Sequence, residues 1–242
     1  MGSKVTIIER AGLGGAAVLT DVVPSKTLIA TAEAMNRSVE STELGVSFKA
    51  SKGNPKKVIK ADLLHINERV MRLAREQSTD IRRGLESLGV KIIIGTGRLL
   101  DNRTIEVDRG ETHEIVKADA ILISVGAHPR ELATAQPDGE RILNWTQIYD
   151  LDELPEELIV VGSGVTGAEF ASAFNGLGSK VTLISSRDQV LPGEDSDAAA
   201  VLEDVFARRG LRVLSRSRAE AVKRTDDGVI VTLGDGSTVT GS

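Results

Sequence analysis

The chain of 242 residues contains no cysteine. It therefore forms no disulfide, presents no thiolate nucleophile and builds no cysteine-ligated zinc or iron-sulfur centre. Aromatic residues make up only 2% of the sequence, and the single Trp145 and single Tyr149 fall in one connecting stretch, where they read as packing anchors rather than stacking platforms. The three histidines, His65, His113 and His128, are scattered without metal-ligand spacing, so no metal site is expected. No apolar run approaches the roughly 20 residues of a membrane span, and the first residues lack the pattern of a secretory signal, which points to a cytoplasmic protein. Excess positive charge is missing too. A formal charge of -5 gives neither nucleic acid nor an anionic membrane a general attraction to the chain.

What is present is a chain with 40% hydrophobic residues, long enough for one large or two ordinary domains. VTIIE at 5–9 is a short β-branched run closed by AGLGG, and it reads as a buried parallel strand. Helix-permissive text follows from Ala17 to Met35, with Pro24 at a break or kink. A polar, glycine- and lysine-rich stretch over 50–60 leads to a long helix. Its apolar positions, Leu63, Ile66, Val70, Leu73, Ala74, Ile81, Leu85 and Leu88, keep a 3.6-residue period, and Gly89 is placed to end it. Arg69, Arg72, Arg75, Arg82 and Arg83 form its solvated face. Strands are expected at VKIIIGTGRLL, TIEV and AILISVG, the last over 120–126.

Beyond Pro129 a connection carrying QPDGE leads to Thr146, read as the N-cap of a single helical turn, and the domain boundary is placed near 150. The order is then strand LIVVG, glycine turn, helix, strand KVTLIS, helix DSDAAAVLEDVFARRG and three strands over 211–240. Strands alternating with helices imply an α/β fold with a parallel sheet.

LIVVGSGVTGAEF holds Gly162, Gly164 and Gly167 in GxGxxG spacing between an expected strand and an expected helix. The first glycine allows the tight turn, the second lets the backbone approach a pyrophosphate, and the third lets helix and strand pack closely. Ser163, Val165 and Thr166 complete this dinucleotide-binding turn, where the helix N-terminus supplies amides to a phosphate. The phrase GSKVTLISS that follows at 178–186 is nearly repeated at the start of the chain as GSKVTIIER. The later copy is the second strand of a βαβ unit, and it ends about 20 residues past the glycines, where a ribose-reading side chain belongs. By internal analogy Glu9 holds that position in a second such unit. The glycine-rich preface of that unit is not in the sequence, so Met1 is expected to be an internal methionine and the chain a piece of a longer protein.

GLGGAAVLTDVVPSK at 12–26 resembles the GGTCxxxxCxPSK segment of the FAD-dependent pyridine nucleotide-disulfide oxidoreductases, the family of lipoamide dehydrogenase and glutathione reductase. GGAAVLTD, QPDGERIL and VVGSGVTGAEF are similar to phrases of its cysteine-poor branch of NAD(P)H:quinone reductases. The resemblance runs across the whole chain. It implies two Rossmann-like doubly wound nucleotide-binding domains, both truncated: an FAD domain over 1–150 that lacks its first strand, glycine loop and helix, and an NAD(P) domain over 151–242. A third, dimer-forming domain and the family's catalytic histidine would lie past Ser242, making the full-length protein a homodimer. The resemblance further implies that Glu9 binds the FAD ribose, that Gly14, Gly15 and Ala16 line the pyrophosphate, and that Gly97 and Gly126 also contact FAD. Lys26 resembles the family lysine beside flavin N5, and Glu169 its salt-bridge partner. A fixed cation there stabilises negative charge on a reduced flavin.

Two departures from the family carry chemical consequences. The positions of its exchange cysteines hold Ala17 and Val22, so a disulfide substrate finds no exchange partner. Electrons that reach FAD must leave it directly, which suits a quinone, and Ala17 and Val22 are expected to offer a small apolar surface to that acceptor. Where NAD-specific members carry an acidic residue, the chain has Ser185, followed by Ser186 and Arg187. Without a carboxylate the 2′-phosphate of NADPH is not repelled, and Arg187 is placed to pair with it. The expected function is hydride transfer from NAD(P)H to FAD and on to a quinone-type acceptor. The alternative is a redox-silent nucleotide sensor or a non-functional fragment.

Overall fold

The computed structural model describes residues 2–46 and 59–242, so most of the expected polar stretch over 50–60 lies outside the described residues. The chain divides into two compact units, one of Met1–Pro24 and Met71–His128, the other of Ser25–Val70 and Pro129–Ser242. The domain boundary expected near 150 is not where these units divide: residues 25–70 and 129–150 group with the C-terminal part.

In the first unit the early copy of the repeated phrase forms β1 (Thr6–Glu9), paired in parallel with β2 (Lys91–Ile94) through Ile7↔Ile92 and Ile8↔Ile93. The turn after β1 leads to α1 (Gly15–Leu19), which buries Val18. The helix breaks there, because the amides of Thr20 and Asp21 both donate to the carbonyl of Ala16 (3.0 and 2.8 Å). Helix α2 (Val22–Glu40) restarts with Pro24 inside its first turn, where the missing N–H has no intrahelical partner to lose. The break expected at Pro24 thus falls just ahead of it.

Helix α3 (Leu63–Ser87) begins at Asp62, whose carboxylate accepts the amide of His65 (3.0 Å). Its buried stripe is Leu63, Asn67, Val70, Ala74 and Ser78. The 3.6-residue period holds, but two members are polar, while Leu88 is 80% exposed because the helix has already ended. Gly89 closes it in the left-handed region (φ 78°), with Val90 N–H donating to Leu85.

Three antiparallel strands follow, β3 (Thr96–Leu99), β4 (Thr104–Asp108) and β5 (His113–Lys117), in the order β3-β4-β5. The strand expected at 120–126 is corrected. Residues there form no ladder with any described residue, and Leu122 and Val125 are 89% and 87% exposed. An apolar run supplies side chains for a buried strand, but the backbone becomes one only where a neighbouring strand meets its N–H and C=O groups.

In the second unit β6 (Glu157–Val161), β7 (Lys180–Ile184) and β8 (Arg212–Leu214) make a parallel sheet in that order, connected by α4 (Val165–Leu177) and α5 (Ser196–Arg208). Asp195 caps α5, its carboxylate accepting the amides of Asp197 and Ala198. The three strands expected over 211–240 are four. β8 joins the parallel sheet, and β9 (Ala219–Arg224), β10 (Val229–Leu233) and β11 (Thr238–Gly241) form the meander. The two sheets share a core of Ile184, Val231, Leu233 and Val239, with Ile159 and Leu214 packed against it.

Helix α2 meets α4 through Ala32 and Asn36, so close that a Cβ on Gly176 would stand 3.3 Å from that of Ala32. In the connection, Tyr149 is buried and meets Phe170 of α4 edge-on (5.9 Å between ring centres). The helical turn Gln147–Asp150 forms, but Thr146 makes no capping bond. Asn144, two residues earlier, takes that role by accepting the amides of Thr146 and Gln147 (3.0 and 3.3 Å).

Candidate functional site

The glycine turn stands between β6 and α4. Gly162 has φ 109°, a conformation open to glycine, and its N–H donates to Ile184 of the neighbouring strand (2.9 Å). A Cβ on Gly167 would stand 1.9 Å from the carbonyl oxygen of Gly162, so this close approach of helix to turn admits only glycine. Open space lies where side chains on Gly162 and Gly164 would stand, and no side chain caps the first amides of α4. A turn with exposed backbone and uncapped amides fits a phosphate group.

Ser163 and Ser185 are both buried, and their hydroxyls hydrogen-bond each other (2.7 Å). Ser185 also accepts the amide of Arg187 (3.1 Å), as Glu9 accepts the amide of Ala11 (2.8 Å). The two copies of the repeated phrase therefore end alike, with Glu9 and its counterpart Ser185 each holding the amide two positions on. Ser186 and Arg187 are exposed.

A cavity of about 550 Å³ opens beside this turn, lined by Gly162, Ile184 and Ser186 on one side and by Ser217, Arg218 and Glu220 on the other. Its size is that of a small-ligand pocket. Thr134 of the connection also lines it, its carbonyl accepting Val222 N–H (2.9 Å). A second hollow of about 370 Å³ follows Arg72, Arg75 and Arg83 on α3, but Glu76 and Asp80 on its rim already pair with Arg72 and Arg83.

The remaining residues fall in two groups. Lys26 and Glu169, far apart in sequence, form an ion pair with side chains 55% and 26% exposed. Gly14 (φ 93°) and Gly15 enter α1, with Ala16 and Ala17 exposed on it and Val22 exposed at the start of α2. Gly97 of β3 comes against Ile8, 3.4 Å from where its Cβ would be, and Gly126 is exposed in the unpaired 120–126 stretch. Thr134, Ser217, Arg218 and Glu220 were not singled out from sequence. They reach the cavity through contacts between distant strands and loops, which no local periodicity reports.

Residues 1–242 match the family model described as pyridine nucleotide-disulphide oxidoreductase. The chain belongs to this family. An NAD(P)H dehydrogenase (quinone) of Mycobacterium tuberculosis is 48% identical to this chain over 249 residues, covering 99% of it and 49% of the relative. A dihydrolipoyl dehydrogenase of Bacillus subtilis is 29% identical over 224 residues, covering 93% and 48%. The crystal structure of LpdA from Mycobacterium tuberculosis superposes with a TM-score of 0.89 at 48% identity, covering 99% of this chain and 51% of that one. The chain spans about half the length of the curated relatives it matches. The resemblance read from residues 12–26 and the α/β fold it implied are both borne out.

Proposed function

We propose that this chain supplies the FAD- and NAD(P)-binding part of a flavoprotein oxidoreductase that moves hydride from NAD(P)H to FAD and on to a quinone-type acceptor, without a redox disulfide. The observation that carries this reading is a formed Lys26–Glu169 ion pair in a chain whose exchange-cysteine positions hold Ala17 and Val22. A redox-silent sensor has no need of such a pair. The relatives share the family, and one of them is named for quinone reduction.

In this reading the β6–α4 turn holds the pyrophosphate of the nicotinamide nucleotide on the amides that open α4. Glu9, Gly14, Gly15, Ala16, Gly97 and Gly126 serve FAD. When bound, FAD supplies the two-electron relay between nucleotide and acceptor. Lys26 provides a cation whose position is set by Glu169. The exposed Ala17 and Val22 contribute hydrocarbon and no nucleophile, which suits an acceptor that takes electrons by contact. The whole protein is a homodimer in this account. No helix among the described residues is long and apolar enough to cross a membrane.

The test is steady-state turnover of the full-length protein with NADPH. Menadione reduction together with no reduction of oxidised lipoamide supports the proposal. Lipoamide turnover, or a purified protein without flavin, overturns it.

A further inference from the structure

We infer that Arg218, with Ser186 and Ser217, forms the contact that selects a 2′-phosphorylated nucleotide; this rests on the dinucleotide reading of the β6–α4 turn. Arg187 is the first cation after β7, yet it does not line the cavity, whereas Arg218, Ser186 and Ser217 do. Among the described residues neither arginine forms an ion pair. Arg216, between them in sequence, pairs with Asp188 (2.7 Å). Arg218 therefore brings an unpaired guanidinium to the cavity wall, with hydroxyls from both sides. A guanidinium and hydroxyl donors are the groups that bind a phosphate monoester.

The backbone around these groups is built to hold them. Ser217 N–H donates to Ser185 (2.8 Å) and Arg216 N–H to Arg187 (2.9 Å), so the loop carrying Arg218 is stitched to the end of β7. That strand end is anchored by the buried Ser163–Ser185 hydroxyl pair, and Leu191 N–H returns to Ser163 (2.8 Å). Among the described residues, Leu191 and Arg216 are the only non-glycine residues with positive φ, at 53° and 54°. Both lie on these stitched loops. Strained backbone of this kind persists where surrounding bonds fix it, and it gathers at ligand sites. Glu220 is the acid of the cavity wall, and its Oε1 stands 3.3 Å from where a Cβ on Gly234 would be, against backbone. Arg218 is the cation that lines this cavity.

The experiment is calorimetric titration of the full-length holoprotein with adenosine 2′,5′-bisphosphate and with 5′-AMP, for the parent, Arg218→Gln and Arg187→Gln. Arg218→Gln is expected to weaken the bisphosphate by about tenfold or more, the loss expected for one charge-assisted bond. It should leave 5′-AMP within about twofold, which also shows that the variant is folded. An unchanged bisphosphate affinity in Arg218→Gln, an equal loss for both ligands, or a selective loss in Arg187→Gln instead, overturns the assignment alone. Failure of the parent to bind either ligand overturns the dinucleotide reading, and this inference with it.

Discussion

Gly167 meets the carbonyl of Gly162 so closely that a methyl group would stand 1.9 Å from the oxygen, and relief requires the helix to retreat from the turn. Gly167→Ala is expected to destabilise the chain by about 1–3 kcal/mol, the cost of overpacking a close contact. It should also weaken nucleotide binding more than that, since the phosphate-facing amides move with the helix. Denaturant unfolding and nucleotide titration on one preparation check both; unchanged stability would contradict the close approach. Lys26 presents the opposite case. Its side chain is 55% exposed, so losing the pair with Glu169 should cost about 1 kcal/mol or less of stability. Lys26→Met in the full-length protein is therefore expected to melt near the parent while its rate of flavin reduction by NADPH, followed by stopped flow, falls at least about tenfold. A parental rate would remove the lysine from the chemistry.

At the scale of elements, the QPDGE connection is tied to the meander through Arg224, which pairs with both Asp138 and Glu140. Asp138 accepts the amides of Glu140, Arg141 and Ile142 (2.9, 2.8 and 2.9 Å) and Nη1 of Arg224 (3.1 Å). Partial burial pushes its carboxyl up, but the three amides and the guanidinium together outweigh that and hold it well below the usual carboxylate range. A carboxyl depressed in the fold stabilises it above the unfolded value of about 4, and the stabilisation fades as pH falls through the folded value. The difference in Tm between parent and Asp138→Asn should be larger at pH 7 than at pH 3; equal differences would contradict the assignment.

The same scale shows what sequence could and could not reveal. The βαβ unit around Gly162, the long α3 and both copies of the repeated phrase were legible because each is a local pattern: glycine spacing, a 3.6-residue period, a β-branched run. Asn144 escaped as a cap because Thr146 stands where a cap residue is ordinarily sought. Residues 120–126 read as a strand because periodicity records side-chain character and says nothing of the pairing edge. β5 was overlooked because the two apolar residues of HEIVK, Ile115 and Val116, stand side by side without a period-2 alternation, and the strand pairs only through β4.

For the molecule as a whole, the Lys26–Glu169 contact was legible only through family resemblance, since no spacing rule joins residues so far apart. The cavity wall at Ser217, Arg218 and Glu220 was not legible by either route. It is assembled by long-range hydrogen bonds from the end of β7 and the connection. The grouping of residues 25–70 with the C-terminal part likewise follows from helix packing, such as α2 on α4, rather than from order along the chain.

The central claim is that electrons leave the flavin without passing through a thiol. It is tested by reducing the full-length protein anaerobically with one equivalent of NADPH, then adding either menadione or oxidised lipoamide while recording flavin absorbance. Immediate return of the oxidised spectrum with menadione and none with lipoamide is the predicted result; reoxidation by lipoamide, or a flavin that menadione leaves reduced, would contradict it.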